Sequence, residues 1–201
     1  MSLASKWCQA YGVLPAVLPV ITHPRIVLRP FSEEDAGLVQ AAASDPLIPL
    51  ITTVPASGDV AAARAYIGRQ HDRLASGEGY SFAIADAHTG VAVGQIGLWL
   101  RDLDQGRAST GYWVAGQFRH RGYVTAALDA ISGWGFSLDG IHRIELYVEP
   151  WNEGSWRAAE RVGYRREGLL RSWQQVGQQR RDMYIYGLLP HDLAPFASQT
   201  P

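Results

Sequence analysis

The sequence predicts an α/β (α+β) fold in which helices cover both faces of one mixed sheet. Strand-like and helix-like segments follow one another in the order β-α-α-β-β-β-α-β-α-β-β, which is typical of that class. The chain has 201 residues, of which 47% are hydrophobic and 18% charged, so it is long and apolar enough to bury one core. We therefore expect a single domain over residues 23–190, with tails at 1–22 and 191–201.

The first half of the chain begins with a short strand over 25–29, which a proline ends. Ser32 and the three acids after it are typical of a helix N-terminus, and that helix should stop before Asp45. Two prolines in the apolar stretch 47–57 predict a loop rather than a strand. A second helix is expected over 59–75, capped by the aspartate at its first position.

The second half alternates strands and helices. Turn residues between the first two strands favour a hairpin, and a polar loop separates the second strand from the third. The predicted elements are strands over 80–85, 91–100 and 109–115, a helix over 121–138, a strand over 143–149, a helix over 153–162, and closing strands over 169–176 and 180–188.

Charge and composition exclude several function classes. Eighteen Lys and Arg against 19 Asp and Glu leave a formal charge of −1, which argues against broad nucleic-acid binding. One cysteine, Cys8, excludes a disulfide framework and favours a reducing, cytoplasmic location. Prolines interrupt the apolar stretch 11–21, so we expect no membrane segment. The six histidines lack ligand spacing, so we expect no metal site.

The junction between the third strand and the following helix carries the strongest chemical signal. Arg119, His120 and Arg121 precede Gly122 at the predicted helix N-terminus. Unpaired amides, the helix dipole and two full positive charges together favour a phosphate or pyrophosphate. The sequence fits neither the P-loop nor the dinucleotide-binding fingerprint, so a phosphate-bearing ligand of another kind is expected.

The order and spacing of several short motifs resemble the GNAT superfamily of acyl-CoA-dependent N-acyltransferases, and within it the RimJ/RimL-like ribosomal-protein N-terminal acetyltransferases. The resemblance covers about residues 21–189. The motifs are Ile26-Val27-Leu28-Arg29-Pro30-Phe31, Gly94-Gln95-Ile96-Gly97, Gly111-Tyr112-Trp113-Val114, Arg119-His120-Arg121-Gly122-Tyr123-Val124-Thr125-Ala126-Ala127-Leu128, Arg143-Ile144-Glu145-Leu146-Tyr147-Val148, Asn152-Glu153-Gly154-Ser155 and Gly163-Tyr164-Arg165-Arg166-Glu167-Gly168.

The resemblance implies a mostly antiparallel sheet that splays into a V and holds the pantetheine arm of acetyl-CoA, the acyl donor, between the strands ending near Val114 and Glu149. The family's pyrophosphate loop has Gln or Arg, then Gly three residues later, then Gly or Ala two residues further on. Arg119 and Gly122 match it, whereas Val124 replaces the last small residue and His120 a frequent glycine. The implied cofactor-binding residues are Trp113, Val114, Arg119, His120, Arg121, Gly122, Tyr123, Val124, Thr125 and Asn152.

The catalytic residues are also inferred by resemblance. Ser155 matches the position of the donor that protonates the departing thiolate, although Asn152 or Ser155 could instead simply cap the next helix. Many relatives have a Glu where this chain has Ser109. Glu145 and Glu149 share one face of the next strand and are the candidate replacement bases.

The expected function is transfer of acetyl from acetyl-CoA to an amine, most plausibly a protein or peptide N-terminal α-amine. The unperturbed pKa of such an amine is about 8, so the amine needs less help from a base than a lysine side chain does. Two alternatives stay open: acylation of a small amine such as an antibiotic or polyamine, and a catalytically weak CoA-binding module. The resemblance also suggests a possible homodimer.

Overall fold

One open sheet organises the computed structural model, which describes residues 14–193. Its strand order is β1-β2-β3-β4-β5-β6-β8-β7, and every neighbouring pair is antiparallel except β5 with β6. The strands are β1 Ile21–Thr22, β2 Ile26–Arg29, β3 Gly79–Asp86, β4 Ala92–Trp99, β5 Arg107–Val114, β6 Arg143–Val148, β7 Arg165–Val176 and β8 Gln179–Leu188.

Five α-helices occur within the described residues: α1 Ala36–Ala43, α2 Ile48–Ile51, α3 Val60–Ala75, α4 Tyr123–Phe136 and α5 Glu153–Val162. Short 3-10 turns over Glu33–Asp35, Leu103–Gln105 and Gly116–Phe118 precede α1, β5 and α4. The predicted fold class is confirmed.

Three local predictions differ from the structure. Two residues of the expected N-terminal tail form β1, which is too short to produce a sequence pattern. The stretch expected to be a loop contains α2, whose Pro49 lies in the first turn, where a proline removes no helical hydrogen bond. The strand β7 begins at Arg165 rather than 169, because its exposed first residues show no apolar alternation.

Two cores lie on opposite faces of the sheet because successive side chains of a strand alternate. Phe82 and Ile84 point into the larger core, under α4 and α5, whereas Ala83 points into the smaller one, under α1 and α3. The larger core also holds Ile96, Leu98, Leu128 and Ile131, and the smaller one Phe31, Val39, Tyr66, Ile67 and Trp113.

The described part of the expected N-terminal tail packs on the domain. Leu14 and Leu18 contact the larger core, and the Tyr80 hydroxyl donates to the Pro15 carbonyl at 3.2 Å. Cys8 lies outside the described residues. No helix between Leu14 and Leu193 is long and apolar enough to span a bilayer.

A partly buried ion pair joins β2 to the start of α1. Both terminal nitrogens of Arg29 donate to the Asp35 carboxylate, at 2.7 and 2.8 Å, and the Ser32 amide donates to the same group at 2.8 Å. Burial alone would raise the pKa of Asp35, but these hydrogen bonds outweigh it and hold that pKa below its ordinary value. The carboxylate therefore stays ionised and fixes the entry of α1.

We expect Gly94→Ala to destabilise the fold by about 2–3 kcal/mol, because the added methyl would overlap the backbone carbonyl of Trp113 on the neighbouring strand. Gly68→Ala is the matched control. Gly68 lies in α3 with open space around it, so alanine there should add up to about 1 kcal/mol of stability. Urea unfolding of both variants measures the two changes, and an unchanged midpoint for Gly94→Ala would contradict the close packing of β4 against β5.

Candidate active site

An opening in the middle of the sheet is created where β5 and β6 part. Their parallel pairing covers only Arg107–Thr110 with Arg143–Leu146. Beyond it, β5 continues to Val114 paired only with β4, and β6 continues to Val148 paired only with β8. The two diverging arms therefore face each other with backbone hydrogen-bonding groups that the sheet does not use.

The register of the short parallel ladder places Glu145 directly beside Ser109. Glu145 is buried, and both of its oxygens are hydrogen bonded: Arg143 Nε donates to one at 2.8 Å and the Tyr147 hydroxyl to the other at 2.8 Å. Arg143 also pairs with Glu167 on β7. The carboxylate missing at position 109 is thus supplied by the next strand, but it is engaged in an ion-pair network.

Glu149, just past the end of β6, is less constrained. Its Oε2 accepts from Trp151 Nε1 at 2.7 Å and lies 3.9 Å from Arg181 Nε. Among the contacts of residues 14–193, no hydrogen bond reaches its other oxygen. The side chain is buried, so this oxygen is a sheltered acceptor at the open arm of β6.

The turn before α4 leaves the helix N-terminus open. Gly122 is the N-cap residue with φ +78°, no side chain caps the first turn, and that turn contains no acid. The amides of Tyr123, Val124 and Thr125 therefore face outward without a side-chain acceptor. His120 also has a positive φ, +62°, and Arg121 is exposed with its guanidinium over the Phe118 ring at 5.8 Å.

The side chains of this first turn are directed away from the amides. Val124 and Tyr123 pack partly against the larger core, so the branched side chain that replaces the family's small residue is turned toward the protein interior. The Tyr123 hydroxyl donates to Asp86 Oδ2 at 2.7 Å, and this bond is the main cause that lowers the pKa of Asp86 to about 2. The turn is thereby anchored to the β3–β4 hairpin.

Arg119 is held in place by contacts within the chain. Its Nε donates to the Val114 carbonyl at 3.1 Å, and its terminal nitrogen donates to Asp45 Oδ2 at 2.7 Å. Asp45 also accepts from the amides of Leu47 and Ile48 at the start of α2. Burial raises the pKa of Asp45, but these hydrogen bonds and the nearby charge of Arg119 hold it below its ordinary value. Arg119 therefore connects the turn to the α1–α2 segment.

Trp113 differs from the other predicted cofactor residues. Its side chain is buried in the smaller core, where Nε1 donates to the Tyr66 hydroxyl at 3.1 Å. The indole therefore points away from the opening at this position, and only the backbone of Trp113 is available there. Burial raises the pKa of Tyr66 to about 12, so this phenol stays neutral in the core.

On the β6 side of the opening, the chain continues into α5. The Asn152 side chain caps this helix by accepting from the Ser155 amide at 3.3 Å, so the capping alternative considered from the sequence applies to Asn152. The Ser155 hydroxyl instead lies 2.7 Å from the hydroxyl of Tyr112 on β5. Sequence reasoning missed Tyr112, although it lies within the Gly-Tyr-Trp motif that the resemblance used.

A bulge in β7 places an aromatic ring against Tyr147, whose hydroxyl donates to Glu145. The register shifts between Leu170 and Gln174, and Ser172 adopts φ +50°. The Ser172 amide donates to Asp182 at 2.7 Å and its carbonyl accepts from Arg180 at 3.0 Å. The bulge stacks Trp173 on Tyr147, with ring centroids 5.9 Å apart and planes 12° apart. No sequence pattern pointed to this pair.

The site therefore combines an uncapped helix N-terminus, exposed arginine side chains and strand edges with backbone groups that the sheet does not use, and these are groups that suit a phosphate-bearing thioester. Within the described residues, no three His, Cys, Asp or Glu side chains are grouped closely enough to hold a metal ion. The features fit a CoA thioester by its own chemistry, since its pyrophosphate suits the turn and its amide-containing arm suits the open strands.

Comparison with known proteins shows the family to which the chain belongs. The family model described as an acetyltransferase (GNAT) domain matches residues 25–165. The chain belongs to this family of N-acetyltransferases and is an acetyl-transfer enzyme by class.

Individual relatives are similar over most of their length. N-acetyltransferase p20 of Bacillus licheniformis is 29% identical over 170 residues, which is 85% of this chain and 96% of p20. Among solved structures, Mycobacterium smegmatis RimJ in complex with a CoA disulfide has a TM-score of 0.76 at 24% identity, covering 90% of this chain and 92% of RimJ. RimL, a ribosomal L7/L12 α-N-protein acetyltransferase, has a TM-score of 0.70 at 15% identity, covering 85% of this chain and 98% of RimL.

We expect Arg119→Ala to weaken CoA binding about tenfold or more, because it removes a full charge from the anion-binding turn. Isothermal titration with CoA measures the effect. Arg64→Ala is the control, since Arg64 is an exposed arginine of α3 whose ion-pair partner within residues 14–193 is Glu33. Equal affinity in the wild type and in both variants would contradict the assignment of the turn as the pyrophosphate site.

Proposed function

We propose that the protein transfers acetyl from acetyl-CoA to the N-terminal α-amine of a protein or peptide. The proposed acceptor class rests on the contacts of Glu145. It occupies the register position beside Ser109, yet Arg143 and Tyr147 use both of its oxygens. A site in which this carboxylate is engaged suits an amine that needs little help from a base, and the α-amine, with a pKa of about 8, is already about one-tenth deprotonated at pH 7, far more than a lysine side chain is.

In this proposal the turn before α4 binds the pyrophosphate through its amides and through Arg119 and Arg121. The open edges of β5 and β6 hold the pantetheine arm, and the Asn152 side-chain NH₂ is a further donor toward it. Acetyl-CoA supplies the acetyl group as an activated thioester. Ser155 donates its proton to the departing sulfur, and Glu149 accepts the proton that the amine releases.

The surroundings of the opening support a peptide acceptor. Trp151 and Trp173 are each about half exposed, at 52% and 51%, close to Glu149 and Tyr147 respectively. Exposed indoles offer flat apolar surface to the residues that follow an N-terminal amine. The similarity to RimJ and RimL supports the same acceptor class.

The acceptor class is tested by measuring thiol release from acetyl-CoA with matched acceptors. We expect turnover with a lysine-free peptide that has a free N-terminus. We expect at least tenfold less turnover with an N-acetylated form of the same peptide that carries one internal lysine. The lysine side chain has a pKa of about 10.4, so little of it is free amine near neutral pH. Faster turnover with spermidine or an aminoglycoside than with any peptide would favour the small-amine alternative. Binding of acetyl-CoA without turnover of any acceptor would favour the CoA-binding module.

Glu149→Gln should lower kcat/KM for the peptide acceptor about tenfold or more at pH 6.5. The difference from wild type should shrink toward pH 9, because a larger share of the acceptor amine is then free without help from a base. Glu145→Gln is the comparison variant. It removes a charge that Arg143 and Tyr147 contact, so it should lower the unfolding temperature and lack the pH-dependent rate loss. If Glu145→Gln shows the pH-dependent rate loss and Glu149→Gln does not, Glu145 is the base.

A further inference from the structure

A hydrogen bond between two hydroxyls bridges the arms of the opening. Tyr112 lies on β5 beyond its last pair with β6, and Ser155 lies in the first turn of α5, which follows β6. The Tyr112 hydroxyl is 2.7 Å from Ser155 Oγ and 3.2 Å from the Ser155 carbonyl oxygen. One phenol therefore contacts both polar ends of the residue expected to serve the leaving group.

The directions of these bonds limit what Tyr112 does. A phenol has one hydrogen, so Tyr112 donates either to the Ser155 carbonyl at 3.2 Å, which only accepts, or to Ser155 Oγ at the shorter distance of 2.7 Å. Between the two hydroxyls either atom could donate. When Tyr112 donates to Oγ, the hydrogen of Ser155 is left for a third atom, and no other contact within residues 14–193 uses Ser155 Oγ. That arrangement is the one that serves an acceptor in the opening.

The surroundings of Tyr112 keep it a donor. Burial raises the pKa of its phenol to about 12, and the bond to Ser155 only partly offsets this effect. A phenol that resists ionisation keeps its proton throughout the reaction. It also strengthens Ser155 as a donor, because hydroxyls linked in a chain polarise one another.

We propose that Tyr112 is a positioning residue for thioester cleavage, which holds Ser155 Oγ so that its hydrogen points at the departing sulfur. The inference rests on the proposed function of Ser155. As the new C–N bond forms, the C–S bond breaks and its electron pair stays on sulfur. The sulfur takes the Ser155 proton, Glu149 takes the proton that the amine nitrogen loses and returns it to Ser155 through solvent, and Tyr112 keeps its own proton.

The chain contains a matched control for this proposal. Tyr164 and Ser132 form a second buried tyrosine–serine pair, with their hydroxyls 2.8 Å apart, in the larger core under α4. Tyr164→Phe and Tyr112→Phe each remove one phenolic oxygen from such a pair. Only the Tyr112–Ser155 pair lies at the opening, so a general effect of losing a buried hydroxyl would alter both variants alike.

The test is a double-mutant cycle measured by steady-state thiol release with acetyl-CoA and a peptide acceptor. We expect Tyr112→Phe to lower kcat about fivefold to tenfold while KM for acetyl-CoA changes less than twofold. In a Ser155→Ala background, Tyr112→Phe should have no further effect on kcat. Tyr164→Phe should keep the wild-type kcat, and thermal unfolding should confirm that all variants are folded.

Several outcomes would overturn the proposal, and they separate its failure from that of the proposed function. If Ser155→Ala lowers kcat and Tyr112→Phe does not, Ser155 acts without Tyr112. If Tyr112→Phe lowers kcat equally with and without Ser155, or if Tyr164→Phe lowers it as much, positioning through Ser155 is wrong. If Ser155→Ala leaves kcat unchanged, the proposed role of Ser155 fails, and the positioning role of Tyr112 fails with it.

Discussion

The early end of pairing between β5 and β6 is the constraint on which the site depends. Four residues of each strand pair in parallel, and the arms then separate. The separation leaves strand edges free for an extended ligand and places α5 across the gap from β5. A longer ladder would close this gap. The chemistry therefore follows from where a sheet stops pairing as much as from which side chains it carries.

Alternation along the diverging strands divides the site between the two faces of the sheet. On β5, Tyr112 points toward the larger core and α5, whereas Trp113 points into the smaller core. On β6, Ile144 and Leu146 enter the larger core, so Glu145 between them lies on the opposite face. Tyr112 and Glu145 therefore lie on different faces of the sheet beside the gap.

Local signals predicted much of the fold, while the contacts that define the site come from tertiary structure. Apolar periodicity located most elements, and the turn before α4 was predicted because glycine and basic residues are adjacent in sequence. The pairs Tyr112–Ser155, Arg119–Asp45 and Tyr147–Trp173 join distant segments, and nothing in the sequence gives their distances. The β7 bulge was missed because a residue such as Ser172 carries no glycine-like signal for a positive φ. Strand β1 was too short to predict.

The bulged β7 has a consequence for how this protein meets other chains. It is the last strand of the sheet, twelve residues long and mostly exposed, and such an edge ordinarily offers a template for strand pairing between molecules. Its register with β8 shifts twice, Arg165 and Arg166 lie at its start, and Arg180 and Arg181 of β8 pair with its other end. An incoming strand would lose its hydrogen-bond register at each shift and meet positive charge along the way. The distortion that places Trp173 thereby also protects a long exposed edge against aggregation.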